Sequence, residues 1–281
     1  MRRSKTIRKG RAFHPKKRLA QHFLRDEHII KQILSCAGFS SSDHVLEVGP
    51  GLGALTIPLA RSVRRVIAVE KDLQLVEMLE KRLLVAGVTN VTLIHRDILS
   101  FDFEETETPE TNKIQVIGNL PYNISSPLLE KLVTHRDRLE QAVLMFQKEF
   151  AERLLSDPGG REYGAITVVT RYFSRISPLL EVSREAFRPR PKVGSMVLNL
   201  NFSLPYPRRA RDERFFRRLV KGAFAQRRKT LLNALSAAFP EKDRSGILEA
   251  LGRCGIDPSR RAETLDIEEY LSLSEAMAAL S

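Results

Sequence analysis

From Asp43 to Phe202 the chain alternates short apolar runs with segments of helical period, and few folds accept that alternation. Val45-Leu46-Glu47-Val48 reads as a strand, followed by a glycine turn and a helix from about Ala54 to Arg61. Val66-Ile67-Ala68-Val69, a helix over about Asp72 to Ala86, and Val91-Thr92-Leu93-Ile94 repeat the unit. After a polar stretch at 102–112, Ile114 to Ile117 supplies a fourth strand, a helix follows Ser125, and a fifth strand lies near Ala142 to Phe146. A further helix is expected near Phe150 to Leu155. Parallel neighbours need a crossover of about a dozen residues, so strands separated by helices predict an α/β fold with a mostly parallel, doubly wound sheet. Pro178 to Val182 and Met196 to Phe202 lack a helix-length spacer and read as an antiparallel hairpin at the sheet edge.

Past Leu204-Pro205-Tyr206-Pro207 only helical periodicity remains, as in Phe215-Phe216-Leu219-Val220-Phe224 and in a last helix over about Ile267 to Leu280. The expected organisation is a basic arm (1–18), an α/β domain (19–205) and a small all-helical domain (206–281). No apolar run approaches the roughly 18 residues of a membrane span, and the start is basic rather than apolar, so neither a span nor a secretory leader is expected. Cys36 and Cys254 stand far apart, which argues against a disulfide framework or zinc site and suits the cytoplasm.

The charge is high and unevenly spread: net +12, with nine Lys or Arg and no acid in residues 1–18. Residues 208–229 hold ten basic residues against Asp212 and Glu213. Two such clusters suit a polyanion, because each neutralised phosphate releases counterions. Solvated helix faces are also often basic, and an acid-free arm equally suits an organellar transit peptide.

Glu47-Val48-Gly49-Pro50-Gly51-Leu52-Gly53-Ala54 closes the first strand, and glycines there let the backbone approach a ligand closely. Glu70, ending the second strand, has the position of a carboxylate that accepts both hydrogen bonds of a ribose diol. Asp97 follows the third strand, where it would accept from a cofactor adenine amine or simply cap a turn. Gly49, Glu70 and Asp97 therefore line one crevice at the topological switch point. The same loop satisfies a permissive dinucleotide fingerprint, so it leaves S-adenosylmethionine and NAD both open.

After the fourth strand stands Gly118-Asn119-Leu120-Pro121-Tyr122-Asn123-Ile124-Ser125. Hydride transfer has no use for Asn-Leu-Pro-Tyr here, whereas methylation of an adenine amine does. That nitrogen is a poor nucleophile, and it gains positive charge as it attacks a sulfonium methyl. The Asn119 side-chain oxygen and the Leu120 carbonyl are suited to accept its two hydrogens, which matters most where water is excluded. Pro121 restricts the loop, and Tyr122 offers a face for a flipped base.

That motif, with Gln21-His22-Phe23-Leu24 before it and Phe187-Arg188-Pro189-Arg190-Pro191-Lys192-Val193 after it, resembles the ribosomal RNA adenine dimethyltransferase family. Asn-Leu-Pro-Tyr-Asn-Ile-Ser-Ser-Pro, Ala223 to Leu231 and Arg260 to Leu265 are similar to its small-subunit branch. The resemblance implies a Rossmann-like class I methyltransferase sheet and S-adenosyl-L-methionine as cofactor. It implies that the partner is small-subunit ribosomal RNA in an immature subunit, bound by a monomer. It also implies that His22 and Leu24 close over the cofactor's methionine end and that Gly49 and Gly51 contact it. Glu70 would hold the ribose, Asp97 the adenine, and Asn119 both cofactor and target, with Phe187 sandwiching the base opposite Tyr122. Many members carry Asn where this chain has His22, so that contact is expected through the backbone. Phe187 suits an ordinary core position equally well. The competing reading is an RNA-binding assembly or transcription factor that retains the fold without turnover.

Overall fold

The computed structural model describes residues 22–106 and 113–280, so the basic arm lies outside the described residues. The chain enters with β1 (Phe23–Leu24) and α1 (Glu27–Ala37). Asp26 caps α1 by accepting from the backbone of His28 and Ile29, and Gly38 ends it at a φ of 65°. Ile30, Ile33 and Ala37, one helical face, are buried. Next come β2 (His44–Val48), α2 (Thr56–Ala60), β3 (Arg65–Glu70), α3 (Leu73–Val85) and β4 (Val91–His95). They are followed by β5 (Ile114–Asn119), α4 (Ser125–Thr134), β6 (Leu139–Gln147) and α5 (Lys148–Leu155). α6 (Ala165–Phe173), β7 (Arg175–Val182), β8 (Phe187–Arg188) and β9 (Ser195–Asn201) complete the α/β part.

Seven strands form one sheet in the order β4-β3-β2-β5-β6-β9-β7. The first four contacts are parallel, while β9 runs antiparallel between β6 and β7. The edge hairpin is therefore present, and Pro178 stands in its outer strand at a register shift, where a missing N–H breaks no inner ladder. The strand order reverses between β2 and β5, which opens a crevice at their carboxyl ends. Gly118 lets those two strands approach: a Cβ there would lie 2.8 Å from the Val48 carbonyl oxygen. The short strands β1 and β8 pair separately, Leu24 opposite Phe187.

Both sheet faces are covered, as the near-continuous apolar strands require. Val45, Val66, Ala68 and Ile117 face a core shared with α1 and α2. Leu46, Val48, Ile67 and Val116 face a second core shared with α4 and α6. That second core continues into α7 (Glu213–Phe224), α8 (Leu231–Ala238), α9 (Arg244–Arg253) and α10 (Ile267–Ala278). Phe216, Leu219, Val220 and Ala223 form the buried stripe of α7, and a Cβ at Gly222 would meet that of Ala238 at 2.7 Å. Tyr172 ties α6 to α7 through its ring, 4.4 Å from that of Phe216, and its hydroxyl, which accepts from the Ala210 N–H at 2.8 Å. Among the described residues no helix is long and apolar enough to cross a membrane.

Candidate active site

A cavity of about 700 Å³ opens at the switch point, within the range of small-molecule sites. His22, Leu24, Gly49, Gly51, Glu70, Asp97, Asn119, Leu120, Pro121 and Tyr122 all line it. Phe187 does not. Paired with Leu24, it is 1% exposed in the core beneath α1. The ring beside Tyr122 is that of His22, with centroids 5.7 Å apart and planes 26° from parallel.

Each wall of the cavity follows from its element. Gly51 has φ 58°, and a Cβ there would press on the Phe23 ring at 3.2 Å, so only glycine lets β1 lie over the turn. Gly49 donates its N–H to the Val69 carbonyl. Glu70 ends β3 nearly buried, with one carboxylate oxygen accepting from Gly51 N–H at 3.1 Å and the other from Asp72 N–H at 2.8 Å. Burial raises its pKa against those bonds. Asp97 caps the turn after β4 through the Leu99 N–H at 3.0 Å and pairs with Lys71 at 2.6 Å. Partial burial works against its charge, but those partners outweigh burial and hold the carboxyl below its usual range. Both the capping and the crevice-lining readings of Asp97 thus hold.

Asn119 ends β5, and its side-chain nitrogen donates to the His22 backbone carbonyl at 3.0 Å. That bond commits the amide nitrogen and leaves the side-chain oxygen as a fixed acceptor. His22 thus meets Asn119 through its backbone carbonyl, while its ring bonds the Pro189 carbonyl at 2.7 Å. Leu120 anchors the loop from below: it is buried, and its N–H donates to the Met145 carbonyl at 3.3 Å.

The family is decided by comparison with known proteins. The ribosomal RNA adenine dimethylase profile matches residues 12–279. The chain is 45% identical to Ribosomal RNA small subunit methyltransferase A of Desulforapulum autotrophicum, across 93% of this chain and 92% of that protein.

This chain belongs to the ribosomal RNA adenine dimethylase family.

It is also 44% identical to the protein of the same name from Moorella thermoacetica, over 94% of this chain and 92% of that one. Among solved structures, a Plasmodium falciparum dimethyladenosine transferase superposes with TM-score 0.76 at 29% identity, over 89% of this chain and 95% of that chain. The 23S rRNA methyltransferase ErmE superposes with TM-score 0.67 at 25% identity, over 91% and 99%. For an adenine dimethylase of the S-adenosylmethionine-dependent type, the crevice chemistry fits the donor. Glu47, Glu70 and Asp97 line it together, a field suited to a cation bearing a diol and an adenine. The same carboxylates would repel a dinucleotide pyrophosphate, and the helix after the loop, Thr56–Ala60, is too short to offset that with its dipole.

Glu47 is the residue that sequence reasoning left without a role in this dimethylase, although a lone carboxylate inside Val-Leu-Glu-Val was a signal. It is 2% exposed on the α1–α2 side of the sheet and lines the cavity, with one oxygen unpartnered. Burial, with Glu70 nearby, pushes its pKa up to about 7 against a favourable Thr56 contact. Because its folded-state pKa is raised, the contribution of Glu47 to stability is most favourable below about pH 4.5 and declines as pH rises toward 7. Glu47→Gln should remove that decline. Its unfolding free energy relative to the unaltered chain should rise by about 3 kcal/mol between pH 4.5 and 8. Denaturant titrations at both pH values check this, and a difference independent of pH would contradict it.

Half of the basic cluster at 208–229 is consumed internally. Arg208 pairs with Glu268 and Glu275, Arg209 with Glu213, Arg218 with Glu241 and Lys221 with Glu130. Arg227 donates to the Arg161 and Tyr163 carbonyls. Among the described residues, the side chains of Arg211, Arg214, Arg217, Arg228 and Lys229 have no ion pair or hydrogen bond.

Proposed function

We propose that this chain methylates the exocyclic amines of two adjacent adenines in a hairpin loop of small-subunit ribosomal RNA. It acts as a cytoplasmic monomer on the immature subunit, with S-adenosylmethionine as donor and dimethyladenosines as product. The observation that carries the reading is the oriented amide of Asn119, tied to His22 on one side and facing the cavity at the switch point.

When bound, the donor supplies an electrophilic methyl on a sulfonium. Glu70 would accept from its ribose hydroxyls, Asp97 from its adenine amine, and Gly49, Gly51, His22 and Leu24 would enclose its methionine end. The Asn119 side-chain oxygen and Leu120 carbonyl would accept the two hydrogens of the target amine and stabilise the charge growing there. Pro121 limits the loop, and Tyr122 stacks the extruded base, worth about 1–3 kcal/mol. The His22 ring beside Tyr122 supports this, since it marks a face that accepts a planar ring. The amine proton becomes acidic only after transfer, so release to water suffices and positioning supplies most of the rate.

Residues 19–205 form the catalytic domain in this reading, and 206–281 the part that grips RNA through Arg211, Arg214, Arg217, Arg228 and Lys229. Five such phosphate contacts predict steep salt dependence: affinity for the subunit should fall more than about a hundredfold between roughly 50 and 200 mM salt. A flat log–log plot would remove the phosphate argument. The function is tested by offering labelled donor with immature small subunits, mature small subunits or large subunits. Label should enter the immature small subunit alone, and equal labelling of all three would refute the substrate assignment.

A further inference from the structure

Three of the six Lys and Arg along the cavity are already engaged: Lys71 pairs with Asp97, Arg82 donates to the Leu52 carbonyl, and Arg96 pairs with Glu105. Arg25, Lys31 and Arg61 differ. All three line the same cavity and are exposed, and no side-chain ion pair or hydrogen bond holds any of them among the described residues. They come from the β1–α1 turn, the first half of α1 and the end of α2. Those elements pack on one sheet face, so the three converge as one wall rather than forming the outward stripe of a single helix. Glu27 is the acid on that wall, and it forms no ion pair with Lys31 despite the helical spacing that would allow one.

The wall adjoins the reactive end of the cavity. Arg25 stands three residues beyond His22, whose ring flanks Tyr122, so their Cα atoms are at most about 11 Å apart. α7, which carries Arg211's neighbours Arg214 and Arg217, belongs to the core on the far side of the sheet. Among the described residues, positive charge without an intramolecular partner therefore lines the α1–α2 side of the cavity, while its floor is acidic.

We infer that Arg25, Lys31 and Arg61 form a phosphate-binding rim that holds the RNA strand flanking the extruded adenine, leading that strand across α1 and α2. This rests on the functional reading above and extends it, because the RNA then reaches the carboxyl edge of the sheet instead of resting on the helical part alone. Exposure favours a polyanion arriving from solvent over the single carboxylate of a donor lying deeper in the crevice. Several point charges along a wall match successive phosphates.

The experiment compares the full chain with a triple variant, Arg25→Ala, Lys31→Ala and Arg61→Ala, whose exposed positions should leave folding intact. Affinity for immature small subunits is measured across salt concentration, and donor affinity by calorimetry. The log–log salt slope should become shallower by about 2, at about 0.7 for each single-strand phosphate, with donor affinity within twofold. A second variant, Arg25→Lys with Arg61→Lys and Lys31 unaltered, should keep the slope of the unaltered chain. An unchanged slope would overturn the inference and leave a solvated face. Weakened donor binding with unaltered RNA binding would overturn it in favour of a carboxylate site. A parent chain that neither methylates nor binds the subunit would instead overturn the functional reading beneath it.

Discussion

Asn119→Ala is expected to lower methyl transfer at least 100- to 1,000-fold, about the cost of removing one preorganised acceptor, while RNA affinity stays within twofold. The amide is fixed at the end of β5 by its bond to the His22 carbonyl, so its oxygen needs no reorganisation as charge develops on the amine. Alanine removes both the acceptor and the tie to the β1 segment. Asn119→Asp separates these effects: it keeps an acceptor but loses the donor to His22, and should retain more turnover than alanine. Single-turnover rates with saturating donor and subunit make the measurement, and turnover near that of the unaltered chain in Asn119→Ala would remove the acceptor role.

Glu70→Ala should weaken donor binding about 100-fold or more, with RNA binding unaffected. Each hydrogen bond to a charged group contributes about 1.5–3 kcal/mol, and a diol makes two. The carboxylate is already aimed by the Gly51 and Asp72 N–H groups, so little ordering is lost when a ligand arrives. Alanine also leaves those buried donors unpartnered, so some loss of thermal stability should accompany it. Calorimetry with the donor checks the main effect, and unchanged affinity would refute the ribose role.

The parallel strands were legible because each is apolar on both faces and bounded by turn chemistry, so β2 to β6 appear within a few residues of their expected bounds. The loop residues of the site were legible for a related reason. Glycines, Asn-Leu-Pro-Tyr and acids at successive strand ends all fall where the parallel strands end, which is where such sheets hold ligands. Ala165–Phe173 was not anticipated, since Thr167-Val168-Val169-Thr170 has strand propensity. Tertiary context overrides it: Thr167 caps the helix start by accepting from the Gly164 N–H, and Val168, Val169 and Tyr172 bury in the core. Phe187 was ambiguous because its place depends on pairing with a strand more than 160 residues away, which no local pattern encodes. The true share of free charge at 208–229 was hidden likewise, because its acidic partners Glu130, Glu241 and Glu268 are remote in sequence.

The central claim concerns one atom, the exocyclic nitrogen of adenine. Immature small subunits incubated with a donor carrying a trideuterated methyl, then digested to nucleosides and resolved by mass spectrometry, report on it directly. The account predicts adenosine bearing two labelled methyls on that nitrogen, at two neighbouring positions. Label on a ring nitrogen, a ribose hydroxyl or another base would contradict it.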